Sequence, residues 1–590
     1  MDNEKKENEL NGAEAENKEA SGRKQKPKSF MQTVREIDAE ERRKELEEEA
    51  RQNEERAKRE EQRRKAYEEK LRKERLELIK LKQGIISEED IPEEKVPEKK
   101  YSAWEKFTNF IYHNKAYLIV GALFIGLAAI AYHALNDQLL KAFLVVLIPI
   151  AIIYIILSIK RPLIALITYG TLCYFWGVIY RTFIRVNGIS ILLDIGMLFF
   201  LFCMILHSPY SKDIKWRRSF NVVTVAYAIW FVFCFLEIVN PNGLTEAWVN
   251  SRAMYPATLI FIILLTAFFT RFKLVKALIM IIAIFTTISF IKLMIQRYIG
   301  WDQYETTWLY SSESYRTHLL RTGIRYFSTF TDAGNHGSNM GNIALVYSII
   351  FFYTKGEKIR WFYLAIAIMG VIGLFMSGTR GAMIVPLGGL VLFCLINKSI
   401  KFTLASAIVG IGIYIFFAFT YIGESNAMIS RMRTAFKPTQ DASFNVRIEN
   451  QKKMAEYMKD RPFGEGIGLA GVEARKYGNR YITTFPVDSY YVKIWVQTGI
   501  VGLILHIAVL LICLFWGCYL IMFKVRNTEF RGILTAFICG LFGLMLSAYG
   551  NQFFGQPNTQ FILWTFFACI VNSPYIDKQL LEEKRQLLTK

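Results

Sequence analysis

The chain has 590 residues, a formal net charge of +20 and a mean hydropathy of +0.22, with 52% of its residues apolar and 21% charged. Residues 1–100 hold 27 of the 72 Lys and Arg and 29 of the 52 Asp and Glu, which leaves 45 basic and 23 acidic side chains on a far more apolar remainder. Repeated apolar segments of about 20 residues need lipid around them, which excludes a simple water-soluble globule. Basic residues on the connectors of a multispan chain act as orientation signals, so the charge does not read as a nucleic-acid footprint.

Residues 1–29 are polar and are expected to be disordered. Between Met31 and Lys82 the text is rich in Glu, Lys and Arg at i,i+4 spacing, which predicts one long solvated helix. An apolar seam begins only at Leu71, Leu78 and Leu81, so a coiled coil or a cytoplasmic partner for residues 31–82 stays an option. Pro92 and Pro97 mark a linker. The first apolar run starts near residue 116, so no N-terminal signal peptide is expected.

Fourteen apolar segments follow, at about 116–134, 139–158, 162–182, 189–207, 219–239, 254–270, 274–296, 335–353, 361–377, 381–396, 401–421, 498–522, 532–549 and 558–574. If the charged head is cytoplasmic, every second connector is too. Those connectors carry Lys160 and Arg161, the run 211–218, Arg271 and Lys273, the run 355–360, Lys398 and Lys401, the run 524–531, and the tail from Lys578; all seven are basic. Arg181 and Arg185 fall on the other side, against the rule. The pattern predicts an all-α multi-pass membrane protein with about 14 transmembrane helices, a long extracytoplasmic loop and an N-terminal charged cytoplasmic helix. Its divisions are a charged region at 1–100, spans 1–11 within 101–421, the loop 422–487, the last spans within 488–574 and a cytoplasmic tail at 575–590.

Two long connectors, 297–334 and 422–487, fall outside the cytoplasm on this count. The second carries 11 basic and 7 acidic residues, a net +4 suited to an anionic partner. Within it Val446, Met454, Tyr457 and Met458 share one face of a short helix, expected to lie along the membrane or to cap the bundle.

All eight cysteines fall in apolar stretches, and Cys513 and Cys518 lack CxxC spacing, so neither a disulfide framework nor a metal knuckle is indicated. No pair of histidines has metal-ligand spacing, so no metal and no cofactor is expected. The absence of a Walker A sequence argues against an ATP-driven pump.

Ionisable side chains meet the outer ends of spans at three places. Arg321 and Arg325 precede a Gly-, Asn- and Ser-rich helix start that contains His336. Small residues there let backbone N–H groups approach a ligand, and arginine adds a planar fork for phosphate oxygens; a capped helix start with interfacial arginines is the alternative. Arg380 sits in a tight turn between spans with Gly378 and Gly381, either as a ligand or as an arginine reaching toward the bilayer edge. Finally, Gly464, Gly466 and Gly468 form G-x-G-x-G rather than a dinucleotide fingerprint, and read as an exposed turn whose amides meet an anion or a sugar. Asp488 then stands where the chain re-enters the membrane, as a general base toward a sugar hydroxyl or, with Ser489, as a helix cap.

In order along residues 320–575, these pieces resemble the O-antigen ligase/polymerase family of bacterial integral-membrane glycosyltransferases. The resemblance is carried by Arg325 with the following Tyr-Phe-Ser-Thr-Phe, by the turn Gly378, Thr379, Arg380 and Gly381, by Pro462, Gly464 and Gly466, and by Asp488 and Ser489 ahead of Gly499 and Gly502. It implies transfer of a glycan from an undecaprenyl-diphosphate carrier onto an acceptor lipid or growing glycan, in the bacterial inner membrane with both termini cytoplasmic. It further implies Arg325 and Arg380 as diphosphate ligands and Asp488 as catalytic base; beside these, the reading of the residues themselves makes Arg321, His336, Arg431, Arg433, Arg447, Gly464, Gly466 and Ser489 candidate substrate-binding residues. Ligases of the family commonly carry His where this chain has Asp488, so ligase and polymerase both remain open. The rival class is a secondary transporter or flippase of a lipid-linked or anionic glycan, but neither a clear internal repeat nor midplane polar residues stand out.

Overall fold

The computed structural model describes residue 61 and residues 139–183, 188–320, 323–354, 356, 358–436 and 442–588. The helix expected over 31–82, the segment 116–134, Arg185 and Arg321 lie outside the described residues. The chain divides into two units, Met1–Ile125 and Gly126–Lys590, and the fold described is that of the second.

It is built of helices: α1 (Leu139–Lys160), α2 (Pro162–Tyr174), α3 (Trp176–Thr182), α4 (Ile191–His207), α5 (Val222–Leu236), α6 (Thr245–Asn250), α7 (Pro256–Phe268), α8 (Phe272–Tyr298) and α9 (Gln303–Ser311). A two-residue antiparallel pair, β1 (Leu319–Leu320) and β2 (Gly323–Ile324), is the only sheet among the described residues. Then come α10 (Ala333–Tyr353), α11 (Ile359–Met376), α12 (Ile384–Ile396), α13 (Ile400–Phe419), α14 (Ala427–Arg433), α15 (Ala442–Met458), α16 (Tyr490–Tyr519), α17 (Thr528–Ser547), α18 (Pro557–Val571) and α19 (Ser573–Leu588).

Six described helices are long and apolar enough to cross a membrane: Val222–Val239, Phe272–Tyr298, Ile359–Met376, Ile400–Phe419, Tyr490–Phe523 and Thr528–Ser547. A seventh is added if the pair Leu147–Lys160 and Pro162–Tyr174, bent by 113°, counts as one broken span. Pro162 explains the bend: it offers no N–H, and it forces Arg161 out of the helical region to φ −137°, ψ 84°. The number of such helices is therefore smaller than the fourteen apolar segments. Several of those segments form helices too short for a straight crossing, among them Ile191–His207 and Pro557–Val571. Helix α10 is 21 residues long, but its first turns are Gly, Asn, His and Ser.

The connectors also hold more structure than the sequence suggested. Residues 297–334 contain α9 and the β1–β2 pair, and residues 422–487 contain α14, α15 and single 3-10 turns. On α15, Met454 and Met458 are buried and Val446 is exposed. Met454 joins Ala470, Ile482, Val487 and Val496 in a small apolar core. The helix is thus anchored through the loop's own core and the start of α16, not along one apolar face toward lipid.

Helix α10 lies at the centre, packed most extensively against α11, α17 and α12. The close approaches require glycine. A Cβ on Gly370 would stand 2.6 Å from the Ala344 amide nitrogen, and one on Gly543 would stand 2.2 Å from the Val385 carbonyl oxygen. Small residues that let backbones meet are a principal means of packing helices where lipid removes the hydrophobic drive.

Candidate functional site

The site is assembled where α11 and α17 end and α10, α12 and α16 begin. The segment before α10 folds back on the end of α11: the Arg325 amide donates to the His318 carbonyl at 2.8 Å and the Tyr326 amide to the Met376 carbonyl at 3.2 Å. This sets the Arg325 guanidinium beside the turn 377–380. Its Nη2 donates to Thr379 Oγ1 at 2.8 Å and its Nη1 to the Thr317 carbonyl at 3.0 Å. Thr379 in turn donates to the Ala333 carbonyl at 2.8 Å, which ties the turn to the start of α10.

Gly378 is the pivot, at φ +56°. A Cβ there would meet Arg325 Cγ at 3.2 Å and Arg431 Cδ at 3.4 Å, so two arginines flank one missing side chain. Arg431, from α14, donates through Nε to the Gly378 carbonyl at 2.7 Å. Arg380, in the next turn, donates to Thr434 Oγ1 at 3.0 Å. Arg447, from α15, donates through Nε to Asp488 Oδ2 at 2.9 Å and through Nη1 to the Gly550 carbonyl at 3.4 Å.

These four arginines form one electrostatic unit. Burial first, and then the positive charge of Arg431, pulls the Arg325 guanidinium down to about 10; Arg380 and Arg447 lower it further, while Asp332 opposes them. At neutral pH Arg325 stays protonated; Asp332 acts on it, and Asp488 pairs with Arg447. Asp332 is already engaged as the cap of α10, accepting from the Asn335 amide at 2.9 Å. Arginine forks in a partly desolvated setting favour a di- or polyanion such as a diphosphate.

Asp488 is not the cap of α16. Ser489 is, accepting from the Val492 amide at 3.4 Å. The Asp488 side chain is 48% exposed and uses one oxygen on Arg447, which leaves Oδ1 open. A carboxylate oriented by an arginine and reachable from outside has the geometry of a general base.

Other sequence-derived candidates lie elsewhere. Arg433, two residues from Arg431, falls on another face of α14; it is buried, donates to the Ile422 carbonyl at 2.6 Å and stacks on Phe416 at 5.4 Å. It ties α14 to the end of α13. His336 is fully buried against Phe330, with ring centroids 5.2 Å apart, and no hydrogen bond links it to the arginines. The turn at Gly464 and Gly466 does not offer open amides: the first donates to the Arg461 carbonyl at 3.0 Å and the second to the Gln497 carbonyl at 3.0 Å. It is wedged against a break in α16 at Gly499, at φ +65° and ψ −172°, where a Cβ would stand 1.9 Å from the Pro462 oxygen.

Three contributors escaped the sequence reading. His318 accepts from the Ala333 amide at Nε2, 3.2 Å, and its Nδ1–H donates to the Ser314 carbonyl at 2.8 Å, which defines a neutral ring. Asp332 and Thr379 complete the scaffold. Only Asp332 had a local signal, as an acidic residue just ahead of a span, the mark of a helix cap.

The apolar helices mark an integral membrane protein, with an arginine cluster gathered where several of them end. A family model described as O-antigen ligase matches residues 362–507. The matched span includes Arg380, Arg431, Arg447 and Asp488 and begins after Arg325. No curated protein matches the chain.

Proposed function

We propose that the protein transfers a glycan from an undecaprenyl-diphosphate carrier to an acceptor hydroxyl at the outer face of the inner membrane, with both termini cytoplasmic. The observation that supports this most directly is the flanking of Gly378 by Arg325 and Arg431, with Arg380 and Arg447 in the same field and the half-exposed Asp488 on Arg447. In the proposed reaction the acceptor oxygen attacks the anomeric carbon and a new C–O bond forms. The bond between that carbon and the phosphate oxygen breaks, and its electron pair leaves with the diphosphate. Asp488 takes the acceptor proton, while the arginines bind the diphosphate and offset the charge that develops on it. Ligase and polymerase share this chemistry and differ only in the acceptor.

The test is the ladder of surface and carrier-linked glycans in cells that carry Arg325→Ala or Arg380→Ala, with membrane insertion verified. Loss of transfer supports the reading: single-unit attachments identify a polymerase, and full-length glycan stranded on the carrier identifies a ligase. An unaltered ladder in both variants overturns it. Passage of labelled glycan across vesicles without covalent transfer would instead favour a transporter.

A further inference from the structure

Against the first turns of α16 lies a cavity of about 290 Å³, near the lower end of the roughly 300–1,000 Å³ that ligand cavities occupy. It is bounded by α6, α7, the loop at 468–477, α16 and the residues leading into α18. Helix α16 turns Tyr490, Lys493, Ile494 and Gln497 to it, a spacing of one helical face, while Asp488 at the same helix start pairs with Arg447. The turn 550–552 is a shared wall: the Gly550 carbonyl accepts from Arg447, and Gln552 lines the cavity.

The lining has a distinct chemistry. Gln497 is only 5% exposed and borders the cavity. Asn250, Gln552, Gln556 and Gln560 add further side-chain amides to its lining. A cavity bordered by several side-chain amides matches a ligand that supplies both donors and acceptors. No arginine lines the cavity; of its two lysines, Lys493 is paired with Glu473 at 3.4 Å and Lys476 lies over the Tyr477 ring at 4.8 Å. This is the opposite of the Arg325 cluster. Amides match the adjacent hydroxyls of a sugar, each group donating and accepting, whereas a diphosphate calls for guanidinium forks.

We infer that this cavity holds a sugar ring of the glycan acceptor and presents its reactive hydroxyl across the 550–552 turn to Asp488. The inference rests on the proposed transfer reaction for the word acceptor, and on the lining alone for the word sugar. It separates the two substrates: the diphosphate donor on the arginines, the acceptor on the amides.

The test uses the full chain in lipid nanodiscs, with Gln497→Leu and Gln552→Ala made separately so that one folding failure leaves the other variant informative. The expected result is a rise of ten-fold or more in the KM for acceptor glycan, with the KM for the lipid-diphosphate donor and the Tm unchanged. A rise in the donor KM instead, or no change in either, overturns the inference. If the wild-type chain transfers nothing, the proposed reaction fails, and the cavity is judged without turnover. For that, a small maleimide is reacted with Gln552→Cys in the presence and absence of glycan isolated from the surface of the producing cells. Slower labelling with glycan supports a sugar site, and equal rates overturn it.

Discussion

Arg447 donates through Nε to Asp488 at 2.9 Å, and its charge also acts on Arg325 across the turn at 377–380. One guanidinium thus couples the carboxylate to the arginine cluster. Its side chain is 41% exposed and that of Asp488 48%, so their ion pair contributes no more than about 1 kcal/mol to stability. Arg447→Ala should therefore leave thermal stability almost unchanged while glycan transfer falls on the order of 100-fold, because the base loses its orientation. Parallel melting and rate measurements check this; equal losses in both would make Arg447 a structural residue.

Gly378→Ala places a methyl between Arg325 and Arg431 and asks alanine to adopt φ +56°. The backbone cost is about 1–2 kcal/mol. The functional loss should be larger than that cost, since both arginines must shift, and donor binding should weaken. Wild-type affinity for the lipid-diphosphate donor in this variant would refute the pivot.

The two arginines of α14 should respond differently. Arg433 is buried, and removing it leaves the Ile422 carbonyl without its donor, a loss of about 1–3 kcal/mol. Arg433→Ala should lower Tm; Arg431→Ala should spare Tm and weaken donor binding. Reversed outcomes would exchange their roles.

His318 confers a pH dependence on the scaffold. Burial, with help from Arg325, holds its pKa down to about 4, against an ordinary value of 6.5. A depressed value means that the unfolded chain binds the proton more readily between those pH values. Stability from this group is therefore complete above pH 6.5 and declines as the pH falls toward about 4, by on the order of 3 kcal/mol in all. His318→Gln, which removes the titrating ring, should flatten the Tm–pH slope across that window. An unchanged slope would assign the dependence to other groups.

The legible part of the molecule was what the chain encodes locally. Apolar runs marked helices, and Arg325, Arg380 and Asp488 were visible because charge at the end of a span is costly enough to need a reason. The break at Arg161–Pro162 left only a proline, and the bend angle depends on packing. What stayed hidden was set by distant partners. Arg431 and Arg433 look equivalent in sequence, and only the placement of α14 sends one to Gly378 and the other to Ile422. Gly464 and Gly466 look like ligand-binding glycines, but their need for glycine comes from the backbone of α16 and from Gly243. His318 is 15 residues from the amide it accepts, a separation that no periodicity reveals.

The most direct measurement is the single-turnover rate of glycan transfer by Asp488→Asn in lipid nanodiscs, with donor binding recorded on the same sample. If Asp488 is the base, the rate falls by about 100- to 10,000-fold while the arginines still bind the donor with wild-type affinity. A rate equal to that of the wild type, with donor bound, would contradict the account.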